Sequence, residues 1–193
     1  LDVGLARSPV PLIVTHLDGE PLAHEHGGPI RLVVPGHYAM KSVKWLTRIE
    51  AVTETFVGHF VNRYRYRGDD EFEDGSPVGR IQVRSVIAQP EHGAELPAGK
   101  VSVQGSAWSG RGAIARVELS TDAGKTWEEA SLRPGPDDLA AVAWSQEITF
   151  AAGPCSLMAR ATDAGGNTQP MTPRWNEGGY ANNVVHSIRF DVV

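Results

Sequence analysis

From about Arg80 onward, short runs of alternating and β-branched residues recur between clusters of Gly, Pro, Asp and Asn: RIQVRSVIAQP, KVSVQGSAW, IARVELS, AWSQEITF, CSLMARATD and VVHSIRFDVV. Alternation sends successive side chains to opposite faces of a strand, so each run offers one apolar face for burial. Six or seven such runs in roughly 115 residues predict a β-sandwich of immunoglobulin-like type. A helical reading is poor, because no segment sustains a 3.6-residue apolar period. There is no long internal repeat and no low-complexity tract.

Residues 1 to about 75 are more mixed. VPLIVTHLDGEPL reads as a strand, an Asp18-Gly19 turn and a return, since Asp-Gly between extended apolar runs favours a hairpin. HEHGGPIRLVVPG and KSVKWLTRIEAV follow, and the polar RYRYRGDDEFEDGSPVG has the composition of a loop or linker.

The chain has 193 residues, 41% hydrophobic and 21% charged, with a formal net charge of -5. That composition suits one or two ordinary soluble domains. It lacks the basic excess of a nucleic-acid binder, because its positive charge is clustered only locally. No apolar stretch approaches the roughly 20 residues that span a bilayer, so neither nucleic acid nor membrane is an expected partner. The chain starts at Leu1 with no apolar signal segment, as expected of a processed or truncated chain. The single cysteine, Cys155, excludes an intrachain disulfide and a multi-cysteine metal site. It follows a Gly153-Pro154 turn and is expected to be a small buried hydrophobe.

STDAGKTW, Ser120 to Trp127, matches the Asp-box pattern S-x-D-x-G-x-T-W, in which Asp and Gly shape a hairpin turn and Trp caps it. Propellers repeat the box several times, so one copy predicts a hairpin and not a glycosidase. A carbohydrate-binding sandwich would use aromatics such as Trp108, Trp127 and Trp144; their place on strands or hairpin ends points to the core instead.

His24 and His26 precede Gly27, Gly28 and Pro29, a loop composition, and lack the acidic or thiolate partners of a zinc site. From His26 the chain passes through Arg31 and LVV to Pro35-Gly36 and then Lys41, Ser42, Val43 and Lys44. Two loops flanking a short strand thus present cations and backbone donors. That arrangement suits a planar, phosphate-bearing anion, with arginine as a bidentate grip and lysine as a point charge. A merely solvated basic edge is the other reading of the same residues.

DGEPLAHEHGGPIRLVVPGHYAMKSVKWLTRIEAV, followed by GSAWSGRGAIARVELSTDAGKTW, ATDAGGNTQP and WNEGGYANN, resembles the C-terminal part of the sulfite oxidase family of molybdenum enzymes. That family includes sulfite oxidases and dehydrogenases, the molybdenum portion of plant nitrate reductase and a bacterial sulfane dehydrogenase subunit. The resemblance implies a mainly β chain: the C-terminal end of an α+β molybdopterin-binding domain over 1–50, a junction over 51–79, and an immunoglobulin-like dimerisation domain over 80–193. It implies a molybdenum cofactor, with His26, Arg31 and Lys44 on the pterin and its phosphate and the backbone of Lys41, Ser42 and Val43 donating to the pterin. The family's pocket tyrosine falls at Tyr66, with Tyr64 as rival. Gly178 stands where animal sulfite oxidases carry a sulfite-binding arginine, and Arg111 is a candidate replacement.

The resemblance further implies oxygen-atom transfer to or from a small oxyanion such as sulfite. It implies a homodimer, a partner region supplying the rest of the cofactor domain, a cytochrome or haem electron acceptor, and a periplasmic address by analogy with bacterial members. The family's molybdenum is held by a cysteine in an earlier part of the cofactor domain; Cys155 matches no such loop, so no residue of this chain is an expected metal ligand and the chain alone is expected to be inactive. The alternative function is a non-catalytic immunoglobulin-like dimerisation or interaction module.

Overall fold

The computed structural model describes residues 1–69 and 71–193. It divides into two compact units, Leu1–Ile81 with Trp175–Tyr180, and Gln82–Arg174 with Ala181–Val193.

The first unit opens with a one-turn helix, α1 (Val3–Ala6), where the Asp2 carboxylate accepts the Leu5 amide at 2.7 Å. Strand β1 (Leu12–Val14) is followed by a hairpin of β2 (His16–Leu17) and β3 (Glu20–Pro21). The turn takes φ 52° at Asp18 and 85° at Gly19, the paired positive angles that favour Asp-Gly in tight hairpins. The return leg is short, because after Leu22 the chain enters a 3₁₀ turn, His24–His26. Strand β1 therefore pairs with the later β4 (Arg31–Val33), in register Ile13 to Leu32.

A second 3₁₀ turn, Ala39–Lys41, and a short helix, α2 (His59–Arg63), follow. The RYRYRG stretch then folds back on itself: the Tyr66 amide donates to Ser76 O and the Val78 amide to Tyr64 O, each at 2.9 Å. Residues 51–79 thus lie within this unit. Among the described residues its buried apolar side chains are Leu22, Val34, Tyr66 and Val78, whereas Ile13, Trp45, Ile49, Phe56, Val57 and Phe60 stay at least half exposed.

The second unit is a sandwich of two sheets. One has the order β10-β11-β7-β5 and the other β6-β13-β12-β8-β9. The strands are β5 (Arg84–Gln89), β6 (Glu95–Leu96), β7 (Gly99–Trp108), β8 (Ile114–Ser120), β9 (Glu128–Glu129), β10 (Ser131–Arg133), β11 (Val142–Phe150), β12 (Gly153–Asp163) and β13 (His186–Val192). All pairings are antiparallel except β6 with β13.

The period-2 patterning holds: Val117 and Leu119, Leu157, Ala159 and Ala161, and Ile188, Phe190 and Val192 face inward onto Val103, Ala107 and Trp144. At 25 cal/mol per Å² of apolar surface removed from water, each large side chain here contributes roughly 1.5 to 3 kcal/mol. Trp144 lies opposite Gly105 in the ladder, and a Cβ at 105 would come within 2.2 Å of the indole. Of the three tryptophans placed in the core by sequence, only Trp144 is fully buried; Trp108 and Trp127 are half-buried because each ends its strand or hairpin. Cys155 is likewise half-buried, packed against the core edge. Among the described residues no helix is long and apolar enough to cross a membrane.

Candidate functional site

The basic segment is organised around the 3₁₀ turn. Residues 43–46 run beside 27–32: the Leu32 amide donates to Val43 O at 2.8 Å, the Leu46 amide to Ile30 O at 2.8 Å and the Trp45 amide to Gly27 O at 3.1 Å. That alignment brings three side-chain donors to the three carbonyls of the turn. Trp45 Nε1 donates to His24 O at 2.9 Å, Lys44 Nζ to Glu25 O at 2.6 Å and Arg31 Nη1 to His26 O at 2.8 Å.

The sequence pattern had placed His26, Arg31 and Lys44 near one another, and the structure does bring them together. Close approach demands Gly27, which sits at φ 99° and has the Lys44 side chain at 2.8 Å from where a Cβ would be. A side chain there would push the lysine off the turn.

These cations keep unused donors. Among the described residues the buried Arg31 Nε has no hydrogen-bond partner, and an unpaired buried guanidinium N–H costs roughly 1 to 3 kcal/mol or more. Lys44 is exposed, and among the described residues its three donors make one hydrogen bond.

The expected backbone donors are less available. The Lys41 amide already donates to Tyr38 O at 3.0 Å and the Ser42 amide to Ala39 O at 2.9 Å, because residues 38–42 form the second 3₁₀ turn. Ser42 Oγ is also engaged, accepting the Val34 amide at 3.0 Å. Among the described residues the Val43 amide donates to none, so of the three it alone is free for a ligand. Beside it lies a cleft of about 570 Å³ walled by Tyr38, Met40, Ser42, Lys44, Phe60 and Tyr64, a size and an apolar lining typical of organic-ligand sites.

The two candidate tyrosines differ in surroundings. Tyr66 is 3% exposed, its ring stacked on Phe72 at 4.0 Å. Tyr64 lines the cleft, parallel to Phe60 at 6.1 Å and edge-on to Tyr180 at 5.4 Å.

Gly178 lies in a loop closed by Asn176, whose side chain accepts the Tyr180 amide at 2.8 Å and donates to Tyr180 O at 2.9 Å. The Tyr180 ring covers Gly178 so closely that a Cβ at 178 would fall 2.3 Å from its Cε2. A second cavity, about 140 Å³, is lined by Arg63, Arg65, Arg67, Glu177, Gly178 and Tyr180. Arg111, considered from sequence as a substitute cation, is an exposed turn residue of the second unit whose amide donates to Ser109 Oγ at 3.1 Å. The cations beside Gly178 are instead three arginines that sequence reading passed over. Their signal was available only as the three arginines of RYRYR, since Arg63 ends helix α2 and the segment forms no strand.

The Asp box is a turn, as expected. Asp122 accepts the Lys125 and Thr126 amides at 3.0 and 2.9 Å and both the Thr126 and Ser120 hydroxyls. Trp127 Nε1 closes it on Gly124 O at 3.0 Å, and its ring lies 4.0 Å from the Arg160 guanidinium carbon. Among the described residues, no group of three or more His, Cys, Asp or Glu could hold a metal ion.

The chain matches the family model for the Mo-co oxidoreductase dimerisation domain over residues 76–192 and that for the oxidoreductase molybdopterin binding domain over 2–60. It is 32% identical to mitochondrial sulfite oxidase of Mus musculus over 99% of its own length and 39% of that protein's. It is 31% identical to an NADH nitrate reductase of Phaseolus vulgaris over 91% of its length and 23% of that protein's. Among solved structures it is similar to the sulfane dehydrogenase SoxCD of Paracoccus pantotrophus, with TM-score 0.84, 27% identity, and coverage of 93% of this chain and 48% of that one. The chain therefore spans about two fifths of the mouse enzyme and about half of the solved chain.

Proposed function

The chain belongs to the sulfite oxidase family of molybdopterin oxidoreductases, and on that premise we propose that it contributes the pterin grip and the dimer interface to an enzyme that moves an oxygen atom between a small oxyanion, such as sulfite, and water. The observation that carries the reading is the buried Arg31 Nε beside Lys44, without a partner among the described residues and within the segment matched to the molybdopterin-binding model. Those donors fit the cofactor's charge: a pterin phosphate is an anion best held by groups that do not lose their protons.

In this reading His26, Arg31 and Lys44 hold the pterin and its phosphate, and the Val43 amide serves as the backbone donor. When bound, the cofactor supplies the oxygen-atom and electron chemistry. Tyr64, which lines the cleft, is the better placed of the two tyrosines to touch substrate, while Tyr66 is buried against Phe72. Exposed apolar residues such as Ile49, Phe56 and Val57 provide surface for the remainder of a cofactor domain.

Cys155, the single cysteine, is on β12 of the sandwich, so a thiolate for the metal must come from outside these residues. We expect this chain alone not to turn over. The sandwich serves as the homodimer interface, and a cytochrome or haem group accepts the electrons.

The test is molybdenum and pterin content of the full-length enzyme carrying Arg31→Ala or Lys44→Ala. Both variants should lose cofactor while the sandwich stays folded by circular dichroism. Full occupancy in both would overturn the assignment, and metal-free wild-type protein would leave only the dimerisation role.

A further inference from the structure

Trp45 is held in a backbone conformation that its size makes costly. Its φ is 50°, in the left-handed region, the other non-glycine residues there among those described being Asp18, Ala123 and Ala181. A bulky side chain seldom adopts this region, and one that does is held there by its surroundings, commonly at a functional site. Core burial does not supply the reason, because Trp45 is 50% exposed.

The reason lies in the pairing of 43–46 with 27–32. The Leu32 amide donates to Val43 O, so regular antiparallel pairing two residues further along would join the Trp45 amide to Ile30 O. The Leu46 amide makes that bond instead, at 2.8 Å, and the Trp45 amide turns to Gly27 O at 3.1 Å. One extra residue is thus inserted, as in a β-bulge whose left-handed position is usually glycine. The insertion accompanies the crossing of Lys44 over Gly27, where its Cγ is 2.8 Å from the place a Cβ would take and its Nζ donates to Glu25 O at 2.6 Å.

A glycine would suit the backbone better but could not anchor it. The indole Nε1 donates to His24 O at 2.9 Å, and the ring lies 5.5 Å from the His24 ring. Lys44 Nζ is 5.8 Å from the indole centroid, within cation–π range. The same side chain therefore touches both the turn and the lysine that crosses it.

We propose that Trp45 is a positioning residue for the cofactor clamp: its left-handed backbone sets Lys44 across Gly27, and its indole pins that arrangement to the His24–His26 turn. Among the described residues Lys44 then keeps two ammonium donors for the pterin phosphate. This rests on the clamp reading above, which gives Trp45 no role.

The test is the affinity of the full-length apoenzyme for molybdopterin, measured by equilibrium dialysis with pterin fluorescence, in a double-mutant cycle. Trp45→Phe keeps a ring but loses the Nε1 donor, and should weaken binding about fivefold, the effect of one hydrogen bond. Lys44→Ala should weaken it at least as much, and the double variant should bind no worse than Lys44→Ala alone. A tryptophan that only stabilised the loop would add its full effect to that of Lys44→Ala. Trp45→Gly takes the left-handed angle at no steric cost and lacks the indole, so it should bind no better than Trp45→Phe, and it decides the question if Trp45→Phe does not fold. Wild-type affinity in Trp45→Gly, or a double variant whose two effects multiply, would overturn the proposal. Wild-type affinity in both Arg31→Ala and Lys44→Ala would overturn the clamp and this role with it, whereas weakened binding in those two beside wild-type affinity in the Trp45 variants would overturn this role alone.

Discussion

Gln169 offers the sharpest energetic test of the sandwich. It is 3% exposed and uses all its bonding capacity across the core. Its Oε1 accepts the Ser85 amide of β5 at 2.6 Å and the Ala161 amide of β12 at 2.9 Å. Its Nε2 donates to Asn183 O and Val184 O, both at 3.1 Å. One side chain therefore joins an edge strand of one sheet to a central strand of the other and to the segment entering β13.

In Gln169→Leu the shape is nearly kept but two amide N–H groups and two carbonyls lose their partner. A buried group left unsatisfied costs about 1 to 3 kcal/mol, and the carbonyls less because each has a second lone pair. We expect a loss of roughly 3 to 5 kcal/mol, a fall in Tm on the order of 10 to 20 °C. Urea unfolding of the 193-residue chain, monitored by tryptophan fluorescence, measures it. A loss below about 1 kcal/mol would refute the reasoning and show that water or neighbouring groups take over all four bonds.

Three further outcomes are expected. His186 Nδ1 accepts the Ile87 amide at 3.0 Å, and burial, with the nearby charges of Arg84 and His92, holds its pKa below the ordinary 6.5. The unfolded chain thus takes up that proton first, so stability should fall as pH drops below about 6.5 and level off below the folded value, and the urea midpoint of His186→Asn should lose this part of the slope. Hydrogen bonds from the Thr126 hydroxyl and amide, and then the Ser120 hydroxyl, hold the Asp122 carboxyl far below the usual carboxylate range; its contribution is present above the ordinary 3.8 and lost only as pH falls toward the folded value, and Asp122→Ala should sharply speed hydrogen exchange at the Lys125 and Thr126 amides. The dimerisation assignment predicts a dimer by light scattering at high micromolar concentration, and a monomer there would count against it.

The strands of the sandwich were legible because burial of one face imposes a period of two on every strand, and 84–89, 99–108, 114–120, 142–150, 153–163 and 186–192 all carry it. The Asp18-Gly19 and Asp122 turns were legible for a different reason: each needs particular residues at particular backbone angles, so the chemistry is local. The candidate clamp was legible as a set of residues, but not its use of donors. Nothing in KSVK reveals that the Lys41 and Ser42 amides are consumed within their own 3₁₀ turn while the Val43 amide is left without an acceptor.

By itself the sequence determined a β-sandwich, two local turns, a basic segment around His26, Arg31 and Lys44, and membership of a family of molybdopterin oxidoreductases. Only the tertiary structure decided that Trp45, Lys44 and Arg31 cap successive carbonyls of one turn, that Tyr64 and not Tyr66 lines the cleft, and that Tyr180 fills the space over Gly178. Periodicity and turn chemistry depend on neighbours along the chain; these contacts join residues that the chain separates and the fold brings together, such as Arg67 and Glu177, so no local pattern encodes them.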